Sequence, residues 1–163
     1  MYHRPHYQAG KSVKFSPKGG KLPEHAIISI RPNYVEAILS GVKTIELRRR
    51  IPPVAVGTNL WIYATLPVGA VVAVAVAERM FRARPSELWS RHGQKTAITK
   101  PDFDRYFSGA EMGIAIELSS VQAIDPVPIT GLKMMRQGFH PPQVIARITS
   151  VEAHYLANFA NAA

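Results

Sequence analysis

Apolar positions change rhythm several times along the chain, and each change marks an element. Residues 26–30 form a β-branched run that predicts a strand. Pro32 suits the first turn of a helix, and Tyr34, Val35, Ile38 and Leu39 recur at three- and four-residue spacing before Gly41 stops it. Residues 44–48 alternate polar and apolar, as a half-buried strand does. Ile45 and Leu47 should face the core, leaving Thr44, Glu46 and Arg48 together on the other face. Pro52, Pro53 and Gly57 break the pattern before a strand over residues 60–64, and a Val/Ala run over 70–81 reads as a buried strand. Short helices are expected over 85–91 and from Thr99 to Gly109, with Thr99 as N-cap. Strands follow over 113–118, irregularly over 121–129, and over 144–149, and a last helix runs over 150–160 with Ser150 as its cap.

These elements predict an α+β domain over residues 25–163, built on a small β-barrel of about five to seven strands with flanking helices. The strands are too short and unevenly spaced for a doubly wound parallel sheet. Apolar residues make up 47% of the 163-residue chain, enough to fill one core. The strongly apolar run over 66–77 is too short to cross a bilayer as a helix, and no basic segment followed by an apolar one opens the chain. A cytoplasmic location without membrane attachment is the expectation.

Charge adds a direction to this picture. The formal net charge is +9, and residues 1–50 carry ten basic residues against three acidic ones. One cluster, Arg4, Lys11, Lys14, Lys18 and Lys21, lies in residues 1–24, a glycine- and proline-containing stretch without hydrophobic periodicity. It reads as a flexible basic arm, either attracting phosphates without sequence preference or serving as a solubilising tail. The other cluster is Lys43 with Arg48, Arg49 and Arg50, and together they point to a polyanionic partner.

Common catalytic signatures are missing: no phosphate-binding G-x-x-x-x-G-K-[ST] loop, no G-x-G-x-x-G, no H-E-x-x-H and no G-x-S-x-G. The chain has no cysteine, and its six histidines lack metal-ligand spacing, so neither a metal nor a cofactor is expected. The informative stretch is residues 40–50, where a glycine turn delivers Lys43 to a strand carrying Glu46 and Arg48 on one face. The same pattern also describes a solvated strand edge holding an ion pair.

The motif Ile30-Arg31-Pro32, followed by the continuous run from Ile38 through Gly41-Val42-Lys43-Thr44-Ile45-Glu46-Leu47 to Arg50, resembles the signature of the ASCH domain of the PUA-like superfamily. The similarity continues through Tyr63-Ala64-Thr65-Leu66-Pro67, Glu87-Leu88-Trp89, the stretch from Phe103 to Gly109, and Pro141-Pro142-Gln143, over residues 26–149. The resemblance implies a PUA-like barrel with a cleft suited to RNA or a nucleoside, with Lys43, Glu46 and Arg48 in it and Tyr63, Thr65, Tyr106 and Gln143 as further candidates. Arg49 and Arg50 would add phosphate contacts, and Tyr63 or Tyr106 could stack on an unpaired base or belong to the core.

Two functions follow as expectations. The first is an RNA- or modified-nucleoside-binding domain using a basic cleft around residues 43–50. The alternative is a small hydrolase, either a ribonuclease or similar to the ASCH amidohydrolases that act on N4-acetylcytidine, with Lys43 and Glu46 in the active site. Lys43 matches the lysine of those amidohydrolases. Glu46 stands where they carry a threonine, and residues 94–97, where their distant glutamate would fall, contain no carboxylate.

Overall fold

The computed structural model describes residues 23–50 and 54–159, together with Val13. The basic arm expected over residues 1–24 therefore lies almost wholly outside the described residues. Six strands, β1 (His25–Ile30), β2 (Ile45–Arg48), β3 (Asn59–Ala64), β4 (Ala70–Ala83), β5 (Gly113–Pro128) and β6 (Ala146–Ile148), form one sheet in the order β2-β5-β4-β3-β1-β6. Only β1 and β3 run parallel; the other neighbours are antiparallel. The sheet is mixed and open, with β2 and β6 at its two edges, where a closed barrel was expected. Closure depends on whether the two outermost strands pair, which periodicity within each strand does not encode.

Helices α1 (Pro32–Leu39), α2 (Pro85–His92) and α3 (Lys100–Phe107) each carry a proline in the first turn, where a missing N–H costs no helical hydrogen bond. Thr99 caps α3, its side-chain oxygen accepting from the Asp102 N–H. A 3-10 turn over Gly93–Lys95 links α2 to the loop before α3. The two strands expected over 113–129 form a single sixteen-residue β5, bent by three register shifts against β4. Its prolines are tolerated because β2 pairs only with Ile114–Glu117, which leaves the rest of that side of β5 without a ladder to break.

Two helices close the chain. α4 (Ile129–Met135) was not anticipated; it begins where the irregular strand was expected to end. A Cβ at Gly131 would sit 3.0 Å from the Phe159 ring of α5 (Ser150–Phe159), so glycine permits the close approach of the two helices. The cap of α5 is Thr149, one residue before the expected Ser150. Thr149 Oγ1 accepts from the Glu152 N–H at 3.1 Å, and Glu152 accepts from the Thr149 N–H at 2.7 Å.

The apolar side chains collect in three clusters. One lies between the sheet and α1, around Ile28, Val35, Ile38, Ile62 and Ile116. A second, with Ile27, Trp61, Tyr63, Leu132 and Leu156, is covered by α4 and α5, and the half-buried Val13 packs against it. The third joins Ile45 and Leu47 of β2 to Leu88, Phe103 and Phe107 of α2 and α3. Among the described residues, no helix is long and apolar enough to cross a membrane.

Candidate nucleic-acid interface

The C-terminal end of α1 fixes where Lys43 sits. Gly41, at φ +80°, turns the chain, and the Lys43 N–H donates to the Ala37 carbonyl at 2.8 Å. The Thr44 N–H then donates to the Lys95 carbonyl at 3.0 Å, tying the entry of β2 to the 3-10 turn. Ile45 and Leu47 sink into the third cluster, as the alternation predicts. The polar face is largely covered, with Thr44 and Arg48 half-buried and Glu46 buried. Lys43 is 4% exposed and Glu46 is 7% exposed, so the solvated-edge reading fails for both.

Their burial is sustained by a complete set of partners. An ammonium has three protons to donate. Lys43 Nζ donates to the carbonyls of Ile45 at 2.7 Å and Thr96 at 2.9 Å, and lies 3.2 Å from Glu46 Oε2. The Tyr34 ring lies beside it, with its centroid 5.2 Å from Nζ. Glu46 Oε1 is 2.8 Å from Arg48 Nη2, which also donates to the Ser29 carbonyl at 2.9 Å. Lys43, Glu46 and Arg48 therefore form a row in which one carboxylate is shared by two cations. Residues 94–97, empty of carboxylates, contribute a backbone carbonyl instead, that of the fully buried Thr96, whose own hydroxyl donates to the Gly93 carbonyl at 2.6 Å.

Two clefts meet at the end of this row. The first, of about 560 Å³, is lined by Ser29 of β1, Asn33 and Tyr34 of α1, Lys43, Glu46 and Arg48, and Asp102, Arg105 and Tyr106 of α3. The second, of about 590 Å³, is lined by Arg48, Arg49, Arg50, Tyr106, Glu111 and Gln143. Arg48 and Tyr106 border both. The Tyr106 phenol is pushed above its usual pKa, chiefly by burial, so it remains a hydrogen-bond donor through neutral and mildly alkaline pH. Arg49 donates to the Ser108 carbonyl at 3.0 Å and fastens the end of β2 to the C-terminus of α3.

The remaining candidates divide. Gln143 joins the second cleft. Tyr63 is 4% exposed within the second apolar cluster, and Thr65 follows β3, its N–H donating to the Ile30 carbonyl; neither lines these clefts. Ser29, Asn33 and Tyr34 line the first cleft without having been singled out. Tyr34 was legible only as an apolar helix position, and Ser29 only as a member of the strand over residues 26–30. Among the described residues no three His, Asp or Glu side chains are grouped to hold a metal ion.

Comparison with known proteins identifies the family. The ASCH domain family model matches residues 28–128. An ASCH domain-containing ribonuclease from Zymomonas mobilis is 37% identical over 135 residues, covering 83% of this chain and 91% of that protein. A crystal structure of ASCH from Zymomonas mobilis superposes with a TM-score of 0.79 at 37% identity, covering 82% of this chain and 94% of the other. A hypothetical protein from Leishmania major shares the fold at 12% identity, with a TM-score of 0.57 over 86% of this chain and 96% of its own. On the family match and the Zymomonas relative together, the chain belongs to the ASCH domain family.

Proposed function

We propose that this domain binds RNA along the two clefts that meet at Arg48, and that it cleaves the bound strand, the activity named for its Zymomonas relative. The observation that carries the reading is the charge count of the buried row. Lys43 and Arg48 share the single carboxylate of Glu46, so the row keeps one net positive charge where the two clefts join. A charge held in a poorly hydrated wall acts more strongly on a bound anion than the same charge in water. Arg49 and Arg50 extend the positive potential along the second cleft.

The parts have distinct tasks. Arg48, with Arg49 and Arg50, neutralises phosphate oxygens on either side of the junction. The Tyr106 ring, whose hydroxyl donates to the Leu47 carbonyl at 3.4 Å, packs on an unpaired base. Gln143 can donate or accept at a base edge or sugar hydroxyl. An arginine at the junction also favours the extra charge that develops on a phosphate as a neighbouring 2′-hydroxyl attacks it, the 2′-proton passing to water and the P–O5′ bond breaking to leave a 2′,3′-cyclic phosphate and a 5′-hydroxyl. The acetylcytidine reaction gains no support, because the Lys43 amine it would use is occupied by two carbonyls and a carboxylate.

A fluorescent oligoribonucleotide titrated at several salt concentrations tests the reading, with cleavage followed on a gel. Arg48→Ala should weaken binding about tenfold or more, and should lower the slope of log affinity against log salt by about 0.7 for one lost single-strand phosphate contact. Circular dichroism establishes that the variant is folded. Wild-type protein that neither binds nor cleaves RNA at low salt overturns the proposal.

A further inference from the structure

The buried row assigns Lys43 a role that its place in the motif does not suggest. Because all three of its donor directions are taken, it has none left for a phosphate. Glu46 has one oxygen on Lys43 and the other on Arg48. Without Lys43, Glu46 would be left to neutralise Arg48 alone. We infer that Lys43 is a positioning residue: it holds Glu46 and offsets its charge, so that Arg48 is fixed by the carboxylate yet keeps its positive charge for the RNA. This inference rests on the RNA reading above and specifies how that site is regulated by its own buried charges.

The surroundings fit a support rather than a ligand-facing group. The Thr96 carbonyl that accepts from Lys43 belongs to a residue with no exposure, held by its hydroxyl bond to Gly93. The Ile45 carbonyl is fixed by the pairing of β2 with β5. The Tyr34 ring covers the same ammonium. Arg48, by contrast, borders both clefts and engages only its Nη2, in two bonds, while its Nε is buried without a partner and takes no part in either cleft. The guanidinium at the cleft junction is thus the end of the row that has donor capacity left.

Charge-balanced variants separate this role from direct contact. Lys43→Met leaves a neutral Glu46–Arg48 pair, and RNA affinity should fall about tenfold, about 1.4 kcal/mol. Lys43→Met combined with Glu46→Gln removes one charge of each sign, frees the charge of Arg48, and should return affinity to within about threefold of wild type. Lys43→Met added to Arg48→Ala should weaken binding no further than Arg48→Ala alone. Glu46→Gln by itself, which retains an oxygen for Arg48 but leaves two cations without a counter-ion, should, where circular dichroism shows it folded, bind RNA at least as well as wild type; the charge-balanced double variant supplies the check if a single variant does not fold. Additive losses at Lys43 and Arg48, absence of rescue by Glu46→Gln, or weakened binding in Glu46→Gln alone overturns the inference while leaving RNA binding intact. Wild-type affinity in Arg48→Ala removes the RNA reading of this junction itself.

Discussion

The Lys43–Glu46–Arg48 row and the Arg136–Glu152 pair are both ionic clusters set against the core, yet they differ in how their charges close. Arg136 meets Glu152 through two bonds, at 2.6 and 2.7 Å, and Glu152 completes the capping box of α5 with Thr149. Each pushes the other's ionisation outward, the Glu152 carboxyl below its ordinary range and the Arg136 guanidinium above it, in both cases mainly through their shared hydrogen bonds. That cluster holds one charge of each sign and ends in itself. The row on β2 holds two positive charges and one negative, so it cannot be satisfied from within. An even count makes a fastener for a helix; an odd count, placed where two clefts meet, is what supports the proposed RNA site.

The comparison breaks most visibly at Glu46. Glu46→Ala would leave two like charges buried side by side with no counter-ion, and unfolding in urea should show a loss of about 3–5 kcal/mol. A loss below about 1 kcal/mol would mean that β2 behaves as a solvated edge after all. At the other cluster Glu152→Ala removes the carboxylate half of the capping box and a partly exposed ion pair, for a loss of about 1–2 kcal/mol with RNA affinity unchanged. Weakened RNA binding there would show that the two clusters are not separate in function.

Acid should sharpen the same contrast. The Glu152 carboxyl titrates below its ordinary value of 4.5 in the folded chain, so the unfolded chain takes up its proton first as pH falls. The stability it contributes is therefore full above about pH 4.5 and is lost as pH falls through the lowered folded value. Denaturation of wild type and Glu152→Gln at several pH values reads this directly. Their difference should be constant near neutrality and shrink in acid; a difference that stayed constant to pH 2 would detach the stabilisation from ionisation.

How far the sequence discloses these clusters follows from what each depends on. The limits of α1, α2 and α3 were readable within two residues because their prolines and apolar spacing are local signals. The alternation in β2 also told which side chains share a face. It did not tell what lies over that face, because the cover comes from the Tyr34 ring of α1 and the loop at Thr96, about fifty positions downstream. The Thr96 contribution is a backbone carbonyl, which no residue type announces. The meaning of Gly131, room for Phe159, exists only once α5 has docked. Likewise Tyr63 has the same composition signal as Tyr106, and only packing separates a core ring from one at a cleft.

The finest test concerns the loop that presents the Thr96 carbonyl. Ala97 adopts φ +54°, a left-handed conformation in which a Cβ costs about 1–2 kcal/mol. Its side chain is exposed, so Ala97→Gly should lose little packing. Glycine relieves the strain in the folded chain while adding about 0.4–1 kcal/mol of backbone entropy to the unfolded one. The difference predicts a net gain of about 0.5 kcal/mol, or about 1–2 °C in melting temperature for a domain of this size. The loop is part of the Lys43 support only through the position of one carbonyl, so a more relaxed Ala97→Gly loop that keeps that carbonyl in place should bind RNA as wild type does. Lower stability in Ala97→Gly would mean that the strained conformation is held by the alanine itself, and that the support of the buried row begins one residue further along the chain than Thr96.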